Sequence, residues 1–104
     1  MTTLDNAFAA LSDPTRRDIV ARLARGSLRV TDLAEPFAMS LNAVSKHVKV
    51  LERAGLVHRK RTGREHVLTL HAAPLREIVA WASTYERFWN NKLDALGEFL
   101  KSTK

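Results

Sequence analysis

Apolar residues in this chain recur at helical spacing in five blocks and alternate at strand spacing in one, and the polar residues between them set the boundaries. Leu4, Ala7, Phe8 and Leu11 share one side of a short helix over residues 3–11. Ser12-Asp13-Pro14 then restarts the chain: Asp13 suits the cap and Pro14 the first helical position, and Ile19, Val20 and Leu23 form the buried stripe of a helix over about 14–25 that Gly26 ends. Residues 27–30 suffice only for an edge strand. Thr31 is the expected cap of the next helix, with Asp32 and Glu35 in its first turn and Pro36 keeping it short.

From residue 41 to 54 the apolar positions are Leu41, Val44, Val48 and Leu51, which predicts one buried face. At about 100° per residue, Asn42, Lys46, Lys49 and Arg53 gather opposite, with Ser45 on a flank. Ser40 is the N-cap candidate, and Gly55 offers the left-handed residue that ends such a helix. Two helices joined by a tight turn, the second cationic, follow helix-turn-helix logic. Next, VHRKR, TG and REHVLTL predict two strands over about 57–70 with a two-residue turn at Thr62 and Gly63. That turn pairs Lys60 with Glu65, Arg59 with His66 and Val57 with Leu68, and leaves Arg61 and Arg64 beside the tip. A basic hairpin directly behind the helix pair points to a winged variant.

The last block runs from about 74 to 101, with Pro74 near its start and a stripe at Ile78, Ala82, Tyr85, Trp89, Leu93, Leu96 and Leu100. A helix of that length reaches about 40 Å, beyond what one small core covers, so its excess apolar face calls for another chain. Gly97 predicts fraying beyond it.

Composition sharpens this pattern. With 104 residues, 45% of them hydrophobic, the chain is expected to form a single domain with one modest core. Of a formal charge of +6, most arises between residues 40 and 66, where Lys46, Lys49, Arg53, Arg59, Lys60, Arg61 and Arg64 face only Glu52 and Glu65. Charge concentrated on a helix and a hairpin points to a polyanion, nucleic acid ahead of anionic lipid, because the exposed helical face carries no large apolar residue. The chain has no cysteine, which excludes disulfides, thiolate metal sites and cysteine nucleophiles. No phosphate-cradling glycine loop or recognised Ser-His-acid arrangement suggests an enzyme. No basic leader or apolar run of about 18 residues occurs, so a cytoplasmic protein without membrane association is expected.

The residues LSDPTRRDIVARLARG, VTDLAEPFAMSLNAVSKHVKVLERAGLV, RTGREHVLTL and WASTYERFWNNKLDALGEFL resemble the ArsR family of bacterial winged-helix repressors across nearly the whole chain. The resemblance implies a mainly α fold: a winged helix-turn-helix with a two-stranded β-hairpin wing and a long C-terminal dimerisation helix. It implies a homodimer held by the first and last helices, repressing by occupying a two-fold symmetric double-stranded DNA operator, often its own promoter. Carried over by position, the DNA-reading segment is Ser40 to Lys49 and the wing Arg61 to Glu65. The candidate DNA-binding residues are Ser40, Asn42, Ser45, Lys46, His47, Lys49, Arg61 and Arg64. Those of the dimer interface are Leu4, Phe8, Ile78, Tyr85, Trp89, Leu93 and Leu96. Relatives often have proline where this chain has Asn42.

Metal-sensing members use thiolates in the helix before the turn, or His and carboxylate pairs on the last helix. Here the first segment is VTDLAEPF and the last helix has no His, so no metal or other cofactor is expected, and no inducer is identified. His47 falls on the border of the buried face and is either a structural histidine or a DNA contact. His58 and His66 point to opposite faces of the predicted hairpin, which does not suit a metal site. Arg16 and Arg17 read as solvated surface. Trp81, Tyr85, Phe88 and Trp89 read as interface core ahead of a ligand pocket. The alternative to operator binding is a winged-helix module for RNA or a protein partner, although the basic surface lacks the exposed aromatics that stack RNA bases.

Overall fold

The computed structural model describes residues 2–102. Helix α1 spans Thr3–Ala10 and opens with a capping box: the Thr2 hydroxyl accepts from the Asp5 amide, and the Asp5 carboxylate accepts from the Thr2 amide. Helix α2, Pro14–Leu23, begins as expected, with the Asp13 carboxylate accepting from the Arg16 amide and proline at the first position. A two-residue strand β1, Leu28–Arg29, leads into the short helix α3, Val30–Ala34. Helix α4 spans Leu41–Arg53, strands β2 and β3 span Val57–Thr62 and Glu65–Leu70, and helix α5 covers Ala73–Ser102. The sheet is antiparallel in the order β1-β3-β2, so β1 is an edge strand and β3 lies central, with Leu68 fully buried.

The core joins α2, α3, α4 and the sheet through Ile19, Leu33, Val44, Val48, Leu51, Leu56 and Leu68, all with no exposed surface. Helix α4 ends in a Schellman arrangement: Leu56 N–H donates to Leu51 O at 2.9 Å and Gly55 N–H to Glu52 O at 3.0 Å. Gly55 sits at φ 77°, where it needs no Cβ, and both Leu51 and Leu56 are buried beside it.

Four expectations need correction. Thr31 does not cap α3: the helix starts two residues earlier, with Arg29 at the cap position and no side-chain cap bond, while the Arg29 guanidinium holds Asp32 at 2.8 Å. Arg16 is not merely solvated. It donates to the carbonyls of Ala9 and Ala10 at the end of α1, and Arg17 reaches Leu11 O at 2.8 Å. The hairpin turn lies at Gly63-Arg64, so Thr62 pairs with Glu65, Arg61 with His66, Lys60 with Val67, Arg59 with Leu68 and Val57 with Leu70. Gly63 takes φ 63°, and among the described residues no other residue type adopts positive φ; a turn with glycine at its first central position requires this. Finally, α5 does not fray at Gly97 but continues to Ser102, because glycine weakens a helix yet keeps its N–H in the ladder.

Candidate nucleic-acid interface

Helix α4 with hairpin β2-β3 builds one cationic surface. Ser40 Oγ accepts from the Ala43 amide at 3.1 Å and fixes the start of α4. Val44, Val48 and Leu51 then clamp the inner face to the core, so Asn42, Lys46, Lys49 and Arg53 stand exposed and Ser45 half-buried on the outer side. Leu41 departs from its expected place on the buried face. It is 49% exposed, on the wall of an open groove that it shares with Val30, Thr31 and Arg59.

Internal ion pairs decide which cations remain available. Arg59 is half-buried and holds Glu52 at 2.9 Å, locking the base of the hairpin to α4. Arg29 bridges Asp32 and Glu65, each at 2.8 Å, tying the edge strand to the hairpin tip; those two carboxylates raise its pKa further. Both acidic residues of the α4-hairpin segment are thereby neutralised. Among the described residues, Arg61 donates only to Gly63 O, at 3.1 Å. Among the described residues, Lys46, Lys49, Arg53, Lys60 and Arg64 carry exposed charges with no hydrogen bond or ion pair. Their preferred partner is an external polyanion.

His47 is half-buried, its Nδ1 3.3 Å from the Arg16 guanidinium and 3.8 Å from the Asp13 carboxylate. The imidazole therefore faces the start of α2. Asp13 has a depressed pKa, first because the Arg16 amide donates to it and then because His47 and Arg16 lie close by. His58 and His66 lie on opposite faces of the hairpin, since the turn is displaced by one residue and each pairing by two, which preserves the alternation. His66 Nδ1 lies 3.4 Å from Arg59, whereas His58 contacts the ring of His71 at 4.4 Å. Among the described residues no three His, Cys, Asp or Glu side chains converge as a metal site would need.

Three features escaped sequence reasoning: the Arg59–Glu52 lock, the Arg29 bridge and the exposure of Leu41. The pairings are non-local or depend on hairpin register, which a periodicity reading does not supply. A glycine suited to the first central position of the turn was the one available signal for the register.

The remaining candidates lie away from this surface. Leu4 and Ile78 are half-buried, and Phe8 meets the Trp81 ring edge-on at 5.2 Å, which packs α1 on the first part of α5. Beyond that contact Tyr85, Trp89, Leu93 and Leu96 are all exposed. No helix among the described residues is long and apolar enough to cross a membrane.

Known proteins match this arrangement. A helix-turn-helix domain family covers residues 11–60. The chain is 40% identical over 98 residues to the HTH-type transcriptional regulator Rv2034 of Mycobacterium tuberculosis, spanning 94% of this chain and 89% of that protein. It is 31% identical over 90 residues to the transcriptional repressor SdpR of Bacillus subtilis, spanning 86% of this chain and 100% of that one. The crystal structure of an ArsR family transcriptional regulator superposes with a TM-score of 0.80 at 35% identity, over 86% of this chain and 98% of its own. With a winged helix-turn-helix fold and relatives along nearly its full length, the chain belongs to the ArsR family of DNA-binding transcriptional regulators, a family of non-enzymes.

Proposed function

We propose that the chain is a repressor working as a homodimer on a two-fold symmetric operator, with its own promoter among its targets. The observation that carries DNA binding is the row of exposed, internally unpaired cations on α4 and the hairpin, backed by a fully buried inner face. Helix α4 enters the major groove, where Ser40, Asn42 and Ser45 stand nearest base edges, while Lys46, Lys49, Arg61 and Arg64 hold phosphates. Lys60, exposed on the wing, joins the phosphate set. His47 acts chiefly as a positioning residue, holding α4 against Asp13 and Arg16.

Dimerisation is supported by the shape of the chain. Thirty residues of α5 extend about 45 Å, and the radius of gyration of 19.3 Å far exceeds the value of about 13 Å for a compact 100-residue domain. The exposed stripe from Tyr85 to Leu100 would form an apolar patch that monomers rarely keep. Pairing two α5 helices across a two-fold axis covers it and sets the separation of the two α4 readers. Residues 1–104 then act as one domain, with a reader near 41–54, a wing near 57–70 and a dimer helix over about 74–101.

A gel shift tests the function. A duplex from the region upstream of the chain's own gene is expected to be retarded ahead of an unrelated duplex and of an RNA duplex of equal length. Equal retardation of all three would refute sequence-specific repression.

A further inference from the structure

Leu41 is the apolar residue that the fold leaves unused at the reading end of α4. Three residues on, Val44 is fully buried, yet Leu41 remains 49% exposed at the first helical position. It is not needed to start the helix, because the Ser40 hydroxyl supplies the cap. Its side chain lines a groove of about 270 Å³ shared with Val30, Thr31, Arg59, Arg64 and His66, between the helix-turn-helix and the wing. Glu65 also lines the groove, but Arg29 neutralises it at 2.8 Å, and Arg64 offers an unpaired charge among the described residues. The groove therefore repels no phosphate, and its apolar floor sits among groups suited to DNA.

We propose that Leu41 is a specificity-determining residue that recognises a thymine by packing on its C5-methyl group in the major groove. This rests on the DNA-binding reading above. The chemistry leaves little choice of target: base edges in the major groove present hydrogen-bond donors and acceptors, and the thymine methyl is their one apolar group. N-terminal residues of a recognition helix are those that meet base edges, and Leu41 is the first residue of α4. A leucine there gains nothing from an amino or carbonyl group and desolvates it without compensation. The prediction is a thymine at one fixed place in each half-site, beside the bases that Asn42 and Ser45 meet.

The test begins by selecting preferred duplexes from a randomised pool with the full-length chain. Each thymine of the selected consensus is then replaced by deoxyuridine, which keeps every hydrogen-bonding group and deletes only the methyl. One position per half-site is expected to lose affinity by about fourfold, or about fifteenfold when both half-sites are changed, as burial of one methyl-sized group implies. Leu41→Ala is expected to bind the thymine duplex less tightly and to show no response to the uridine at that position. Because Leu41 is half exposed and outside the core, and alanine is a good helix former, the variant keeps its fold, which circular dichroism verifies. If a consensus is enriched but no thymine is methyl-sensitive, or Leu41→Ala keeps the sensitivity, the assignment of Leu41 is overturned while DNA reading stands. If no sequence is enriched, sequence-specific binding itself fails and this inference falls with it.

Discussion

Replacing Trp89 with alanine removes a ring that the proposed dimer buries while leaving the core of each chain intact. Trp89 is 60% exposed and lies on the part of α5 beyond Trp81, where no side chain is fully buried. A tryptophan buries roughly 150 to 250 Å² when fully enclosed, so the exposed portion offers roughly 90 to 150 Å² to a partner. At about 25 cal/mol per Å² this contributes about 2 to 4 kcal/mol per ring. The change occurs twice in a symmetric dimer, so association is expected to weaken by a factor of about 10³ or more. Sedimentation velocity over a concentration series measures this directly, and thermal unfolding under monomeric conditions checks that the chain itself is unharmed. DNA binding by the variant is expected to fail at low protein concentration and recover at high concentration, because each α4 is intact but holds half an operator. A wild-type monomer at micromolar concentration, or a Trp89→Ala dimer as tight as wild type, would remove α5 from the interface.

Two single residues and the response to metals supply three further tests. Arg64→Ala is expected to lower affinity on all duplexes alike and to make the salt dependence shallower by about one unit per lost contact in each subunit; gel shifts across a salt series would refute this by showing a changed sequence preference. Asp13 has a folded-state pKa below its ordinary 3.8, so its capping contribution is fully present above that value and disappears as pH falls through the lower folded value. Asp13→Ala is therefore expected to lower the melting temperature at pH 7 and to converge on wild type in strong acid, and a gap that persists at the lowest pH would contradict the cap assignment. Operator binding is expected to ignore zinc, cadmium, arsenite and chelators; reversible release by zinc would show otherwise and implicate the adjacent rings of His58 and His71.

The sequence pattern was most informative where local chemistry alone sets structure. Asp13-Pro14 starts α2, and Ser40 and Gly55 bracket α4, because a cap needs only residues within a few positions of one another. Leu41 departs from its expected place because periodicity reports the direction of a side chain, whereas burial also needs a close neighbour, and Leu41 faces an open groove. The turn was displaced because both Thr62-Gly63 and Gly63-Arg64 fill a two-residue loop; the conformation of Gly63 chooses the second. Strand faces were nevertheless correct, since the resulting two-residue shift in pairing restores the alternation. Arg16 was misjudged because the carbonyls it serves belong to the preceding helix, a tertiary relation with no local sequence signature.

Footprinting the protein on the DNA upstream of its own gene tests the central claim most directly, that paired α5 helices hold two α4 readers on one symmetric site. Protection is expected over two related half-sites arranged as an inverted repeat, centred about one helical turn or a multiple of it apart, and appearing together as protein concentration rises. Protection of a single half-site, of unrelated sequences without symmetry, or of the whole fragment uniformly would contradict it.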